Sequence, residues 1–176
     1  MYCLILLAGV SGACGSRDFV AERPGDTIQW LMAEHVDPAA DALWDSVATI
    51  VSSTGMHERR PRTAAEWQAV RAQALALIKA AEMVGAPGRR VSDKSVAPGR
   101  GELPASEIQR RIDANHEAFA GLASALRATA QQALAAIDSR DPQRLMDAGG
   151  AIDSACEACH LQYWYPVQAA GPAVKP

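Results

Sequence analysis

Residues 112–137 read IDANHEAFAGLASALRATAQQALAAI, and apolar side chains recur in this stretch with the period of an α-helix. Ile112, Phe119, Leu126 and Ala133 follow one another at seven-residue spacing, which places them on one helical face. Further apolar residues of the stretch accompany this row. The stretch therefore predicts a long amphipathic helix that buries one face against a core.

Three further amphipathic units are predicted outward from this helix. The first spans 26–55, with a cap at Asp26 or Thr27, and is broken or kinked at Pro38, because proline lacks the N–H that an inner helical turn needs. The second spans 63–85 and opens on the capping box TAAE. The last spans 141–163 and opens on Asp-Pro, a cap followed by a first-turn proline.

The connections between these units set the predicted topology. Residues 55–62 are polar, and residues 85–104 carry four Gly and three Pro, so both stretches are predicted loops. The long helix of the third unit opens at Pro104 beyond the second loop. Short connections favour antiparallel neighbours, so the sequence predicts an all-α fold, an antiparallel four-helix bundle.

Composition supports one helical domain. The chain has 176 residues, of which 36 are alanine and only 5% aromatic, which favours helix and argues against an all-β fold. The net charge is −3, and no stripe of Lys and Arg accompanies it, so a nucleic-acid partner is not expected.

The first thirteen residues are typical of a secretion signal. They carry no charge and contain an apolar run, Leu4–Val10, that is too short to span a bilayer. Cys14 after small residues resembles the lipobox of bacterial lipoproteins, which implies lipidation of Cys14; ordinary signal cleavage is the alternative. The chain is therefore divided into a leader 1–13, a linker 14–25, a helical domain 26–165 and a flexible tail 166–176.

The last predicted helix carries Cys156-Glu157-Ala158-Cys159-His160, the CxxCH motif of c-type haem attachment. Positions i, i+3 and i+4 of a helix face the same way, so both thiols can reach the vinyl groups on one side of a porphyrin. His160 then lies under the iron as its proximal ligand. A half zinc site or a redox dithiol are the alternatives, but no second Cys pair and no strand before the motif support them.

A CxxCH near the C-terminus, on the last helix of a predicted four-helix bundle, resembles the class II c-type cytochromes. These are cytochrome c′ and its low-spin relatives of the c-556 type. The resemblance covers roughly residues 26–165 and implies one covalent haem c on the last helix. It also implies that the first helix faces the iron. A homodimer through the first two helices is compatible with the resemblance.

The resemblance makes Met32 the expected distal ligand, because Met32 lies on the apolar face of the first predicted helix. A thioether raises the reduction potential of the iron. His35, one turn later, is a rival that would give bis-His iron, and His116 is a weaker rival. An open distal face is the remaining alternative, with Met32 as a core residue.

Other residues near the motif have structural or haem-related interpretations. Gly149 and Gly150 each cost about 1 kcal/mol inside a helix, so close approach of a haem edge or of another helix is expected there. The aromatic run 163–165 is expected to pack on the bundle end or cover a haem edge. The arginines of 59–62 and 89–90 could meet haem propionates, but a solvated role is favoured.

The sequence thus predicts an exported, periplasmic monohaem electron carrier that meets redox partner proteins and is membrane-anchored if Cys14 is lipidated. A gas-binding protein with an open distal face is the alternative. A small peroxidase would need an acid–base residue, for which His35 is the candidate. A helical interaction module without haem is the fourth hypothesis.

Overall fold

The computed structural model describes residues 27–93 and 97–165. The described part is predominantly helical and contains one two-stranded sheet, so the helical character is confirmed and the all-α class is corrected by one hairpin. Within these residues every helix is too short or too polar to cross a membrane. Three predicted segments lie outside the description: the leader 1–13, the linker 14–25 with Cys14, and the tail 166–176.

The first helical segment, 28–46, runs without interruption past Pro38. It comprises α1 (Ile28–Leu31), a π-helical turn (Met32–Val36) and α2 (Asp37–Ser46). Proline clashes with the carbonyl four residues earlier in an α-helix. The widened turn ends at Val36, and Pro38 is the second residue of α2. The segment is therefore one helix distorted at the proline rather than two separate helices.

A hairpin replaces the end of the predicted first helix, beyond Ser46. β1 (Ala48–Ser52) pairs in antiparallel register with β2 (Gly55–Arg59). The prediction of helix up to Gly55 and of a loop over 55–62 was wrong. Val47 is already extended, at φ −136° and ψ 134°. The β-branched residues of 47–51 favour extended backbone over helix, which explains the difference.

Two predicted helix starts are confirmed by their side-chain caps. At α3 (Ala64–Val84), Thr63 Oγ1 accepts from the Glu66 N–H at 3.2 Å, and the Glu66 carboxylate accepts from the Thr63 N–H at 2.8 Å. At α6 (Pro142–Tyr163), Asp141 accepts from the Arg144 N–H at 3.0 Å. Both caps satisfy N–H groups that the first turn leaves without partners.

The long helix predicted from Pro104 is divided in two. α4 (Ala105–Ala114) ends at Asn115, and α5 (His116–Asp138) begins directly after it. Asn115 leaves the helical region at φ −153° and ψ 71°, and its side chain accepts from the Ala118 N–H at 3.1 Å. The asparagine amide competes with the helical backbone and caps α5, which breaks the predicted helix.

The helices pack around one core with α5 at its centre. α5 packs against α3 and α6, and α2 packs against α3 and α6. The predicted row on α5 is confirmed as buried, since Phe119, Leu126 and Ala133 are at most 6% exposed. This arrangement sets the first helical segment beside α6, the helix that carries the CxxCH motif.

Candidate functional site

The CxxCH motif occupies the last turns of α6. Cys156 and Cys159 are free cysteines, each partly buried against the core, and His160 is half-buried. Their spacing on an unbroken helix places the two thiols and the imidazole on one side of α6. The motif therefore points toward the neighbouring helices in the way that the sequence predicted.

A small cavity beside the motif joins α6 to the first helical segment. Its volume is about 30 Å³. Met32 belongs to its lining together with both cysteines and His160, so the structure brings the predicted distal residue to the predicted attachment motif. The lining residues are Met32, Val36, Asp37, Val84, Leu122, Ala123, Leu126, Ala155, Cys156, Cys159 and His160.

The chemistry of this lining fits a haem c. Two thiols, an imidazole and a thioether are the groups that attach such a haem and fill both axial positions of its iron. Almost all the remaining wall is aliphatic, as an apolar macrocycle requires. The cavity is far smaller than a haem, so the walls would have to part to admit the group.

The two thiols are not activated for dithiol chemistry. Burial raises the pKa of Cys156 to about 11, and the negative charges of Asp153 and Asp37 add to this rise. Burial, with a contribution from Cys156, raises the pKa of Cys159 to about 12. Redox dithiols have lowered thiol pKa values, and the C-terminal end of a helix disfavours a thiolate. The redox-dithiol alternative is therefore disfavoured.

The rival histidines lie away from this cavity. His35 is exposed, and its ring packs edge-on against Trp30 with centroids 4.7 Å apart. His116 begins α5 near Phe119, and its buried Nε2 atom has no hydrogen-bond partner among the described residues. Neither residue lines the cavity that contains Met32. Met32 is thus the predicted distal ligand that the fold places beside the motif.

Another helix, rather than a predicted haem edge, accounts for Gly149. The indole Nε1–H of Trp44 donates to the Gly149 carbonyl oxygen at 3.0 Å. A Cβ atom on Gly149 would lie 3.2 Å from Cδ1 of Trp44, whereas one on Gly150 would meet nothing within 4 Å. Gly149 therefore permits α2 to approach α6, two turns before the motif, and Gly150 has no such contact.

The aromatic run after His160 closes the end of the core. Tyr163 is buried and packs edge-on against Phe119, with centroids 5.2 Å apart. Trp164 is buried, and its carbonyl accepts from the Leu103 N–H at 2.9 Å. Tyr165 is half-exposed, with its ring centroid 6.3 Å from that of His160. The run packs as predicted and also borders His160.

The predicted arginines have partners outside the cavity. Arg59 forms an exposed ion pair with Asp45 at 3.4 Å, and Arg60 with Glu58 at 3.8 Å. The Arg89 Nε–H donates to the Met83 carbonyl at 2.6 Å. These side chains do not line the cavity, in agreement with a structural or solvated role.

One cavity residue was missed by the sequence analysis. Asp37 lines the cavity, and the sequence pattern indicated only a break or kink at the adjacent Pro38. Within 27–93 and 97–165, no three His, Cys, Asp or Glu side chains are grouped so as to hold a metal ion on their own. Comparison of the chain with protein families, with curated proteins and with solved structures finds no match.

Proposed function

We propose that this protein is a monohaem c-type cytochrome that transfers electrons and is not an enzyme. The observation that carries the proposal is the shared cavity, whose wall includes Met32 from the first helical segment and Cys156, Cys159 and His160 from α6. These groups are far apart in sequence and of the kinds that hold a haem c. The bound haem would supply one-electron oxidation and reduction of its iron.

Each residue has a distinct role in this proposal. Cys156 and Cys159 would form the thioethers that hold a haem even where the cavity is open. His160 of α6 and Met32 of the first helical segment would be the ligands of its iron. A soft thioether favours reduced iron and raises the potential. With both axial positions filled, the iron would change its geometry little between oxidation states, which suits electron transfer without a substrate.

The fold in this proposal is an antiparallel four-helix bundle of the cytochrome c′ class, with haem c on the last helix. The first helical segment, α3, α5 and α6 would be its four members. Their mutual packing and the terminal position of the motif support this assignment. α4 and the hairpin would be additions to it.

The proposed location is the periplasm of a bacterium, since covalent haem attachment takes place after export. A leader over 1–13 would direct export, and lipidated Cys14 would anchor the domain to a membrane through the linker. Redox proteins of the same compartment would be the partners. A homodimer through the first two helices is compatible with the class, and no nucleic acid is expected.

A haem stain of the denatured, haem-matured protein tests covalent attachment. Staining is expected in the native protein and should be lost when both cysteines of the motif are replaced by alanine. The change leaves the cysteines at positions 3 and 14 unaltered, so the comparison isolates the CxxCH pair. Absence of stain from the native protein would refute the haem proposal and favour an interaction module.

The variant Met32→Ala tests the distal ligand. We expect its visible spectrum to change from low-spin to high-spin, and we expect it to bind carbon monoxide. Met83→Ala is the matched control, because Met83 is also partly buried against the core but does not line the cavity. An unchanged spectrum in Met32→Ala would refute the ligand role; carbon monoxide binding by the native protein would favour the five-coordinate, gas-binding alternative.

A further inference from the structure

Asp37 is the one carboxylate in the wall of the cavity, within the described part of the chain. The other lining residues are aliphatic or sulfur-containing side chains and His160. Among the described residues the Asp37 side chain has no hydrogen bond and no ion pair. Asp37 is a solvent-exposed residue, so its carboxylate borders the cavity where the cavity meets solvent.

The π-helical turn orients Asp37 toward the cavity. In an α-helix, successive residues are 100° apart, so a residue five positions after Met32 would lie about 140° away from it. In this turn the Asp37 N–H donates to the Met32 carbonyl oxygen, a bond that spans five residues. The wider turn brings Asp37 back above Met32. Both residues consequently line the same cavity.

The surroundings of Asp37 oppose its negative charge more than they favour it. Burial and the neighbouring charge of Asp41 raise its pKa, and the nearby imidazole of His160 lowers it to a smaller extent. Asp153 adds a further negative charge beside Cys156. The chain contains no Lys or Arg from residue 27 to residue 58, so the first helical segment supplies no cation of its own. No Lys or Arg of the same helical segment therefore neutralises the charge that Asp37 places beside the cavity.

We propose that the carboxylate of Asp37 lowers the reduction potential of the iron held by His160 and Met32, because a negative charge on the wall favours the oxidised, more positive form. This inference rests on the proposed function. Met32 raises the potential and Asp37 lowers it, so the two residues joined by the backbone hydrogen bond of the π turn set the potential in opposite directions. The π turn holds both on the cavity wall.

The test is the midpoint potential of haem-loaded variants, measured by redox titration of the visible spectrum. Asp37→Asn should raise the potential, with a shift of the reduction equilibrium of up to about tenfold, or about 59 mV for one electron. Asp37→Glu keeps the charge and should stay close to the native value. Glu34→Gln is the matched control, because it removes one charge from the same π turn at an exposed position outside the cavity.

A second readout uses the protein before haem attachment. Asp37→Asn should leave the denaturant midpoint of that form close to the native value at neutral pH, since Asp37 is exposed; a purely structural role would lower it. Equal potentials in Asp37→Asn and Glu34→Gln, or a destabilised haem-free Asp37→Asn, would overturn this inference alone. Failure of the native protein to bind haem covalently would overturn the proposed function and this inference together, so the two failures are distinguishable.

Discussion

The contact between Trp44 and Gly149 gives a sharp prediction, because the adjacent Gly150 provides a matched control on the same helix. At Gly149 an added Cβ would lie 3.2 Å from Cδ1 and 3.6 Å from Nε1 of Trp44. The indole would have to move by a few tenths of an ångström, and its 3.0 Å hydrogen bond to the Gly149 carbonyl would be strained. At Gly150 the added methyl group meets open space.

The expected magnitudes follow from two opposing effects. Replacing glycine by alanine inside a helix stabilises it by about 1 kcal/mol. Overpacking costs about 1–3 kcal/mol, and the strained hydrogen bond belongs to this cost. Gly150→Ala should therefore be about 1 kcal/mol more stable than the native protein. Gly149→Ala should be less stable than Gly150→Ala by about 1–3 kcal/mol, because only Gly149→Ala carries the cost of overpacking.

The assay is urea unfolding followed by circular dichroism, with thermal unfolding as a second measurement. For a chain of this size 1 kcal/mol corresponds to about 2–4 °C in Tm. The same Gly149→Ala change in a Trp44→Ala background removes the opposing ring, so there it should stabilise as Gly150→Ala does. Equal stabilisation by both alanines in the native background would refute the close approach of α2 and α6.

Three further predictions concern stability. Because the pKa values of Cys156 and Cys159 are raised in the folded protein, these thiols ionise at lower pH in the unfolded chain, and the haem-free protein should lose stability as pH rises above about 9. Urea midpoints measured at pH about 8 and about 10 test this. The same loss in a Cys156→Ala/Cys159→Ala variant would contradict it. His116→Phe should raise the free energy of unfolding by about 1 kcal/mol, since it removes a buried Nε2 atom that has no partner within residues 27–93 and 97–165. A lower Tm would indicate that this atom has a partner in solution. Thr63→Ala should lower the free energy of unfolding by about 1 kcal/mol, because it removes the side-chain cap of α3. Thr63→Ser is the control: it keeps the hydroxyl group, so its Tm should be close to the native value.

Structural features that depend on one local sequence pattern could be predicted. Thr63 with Glu66 and Asp141 with Pro142 begin helices because their side chains satisfy free N–H groups, and the structure shows both. The row that includes Phe119 is buried because a period of 3.6 residues identifies one face without tertiary information. The CxxCH motif likewise lies on a helix, α6, as the sequence predicted.

The structural features that the sequence did not predict arise where two local preferences compete. The run 47–51 is short, apolar and β-branched, so its spacing suits a helix and its side chains suit a strand; the structure adopts the strand. Asn115 lies inside a helical pattern, but its side chain competes with the backbone. No periodic pattern indicates a π turn, and Asp37 reaches the cavity only because that turn shifts the helical register.

The measurement that tests the central proposal most directly is the visible spectrum of the haem-matured protein, oxidised and reduced, with and without carbon monoxide. We expect a low-spin spectrum in both oxidation states that carbon monoxide does not change, because His160 and Met32 fill both axial positions. A high-spin spectrum that shifts with carbon monoxide would contradict ligation by Met32, and a protein without covalent haem would contradict the proposed function as a whole.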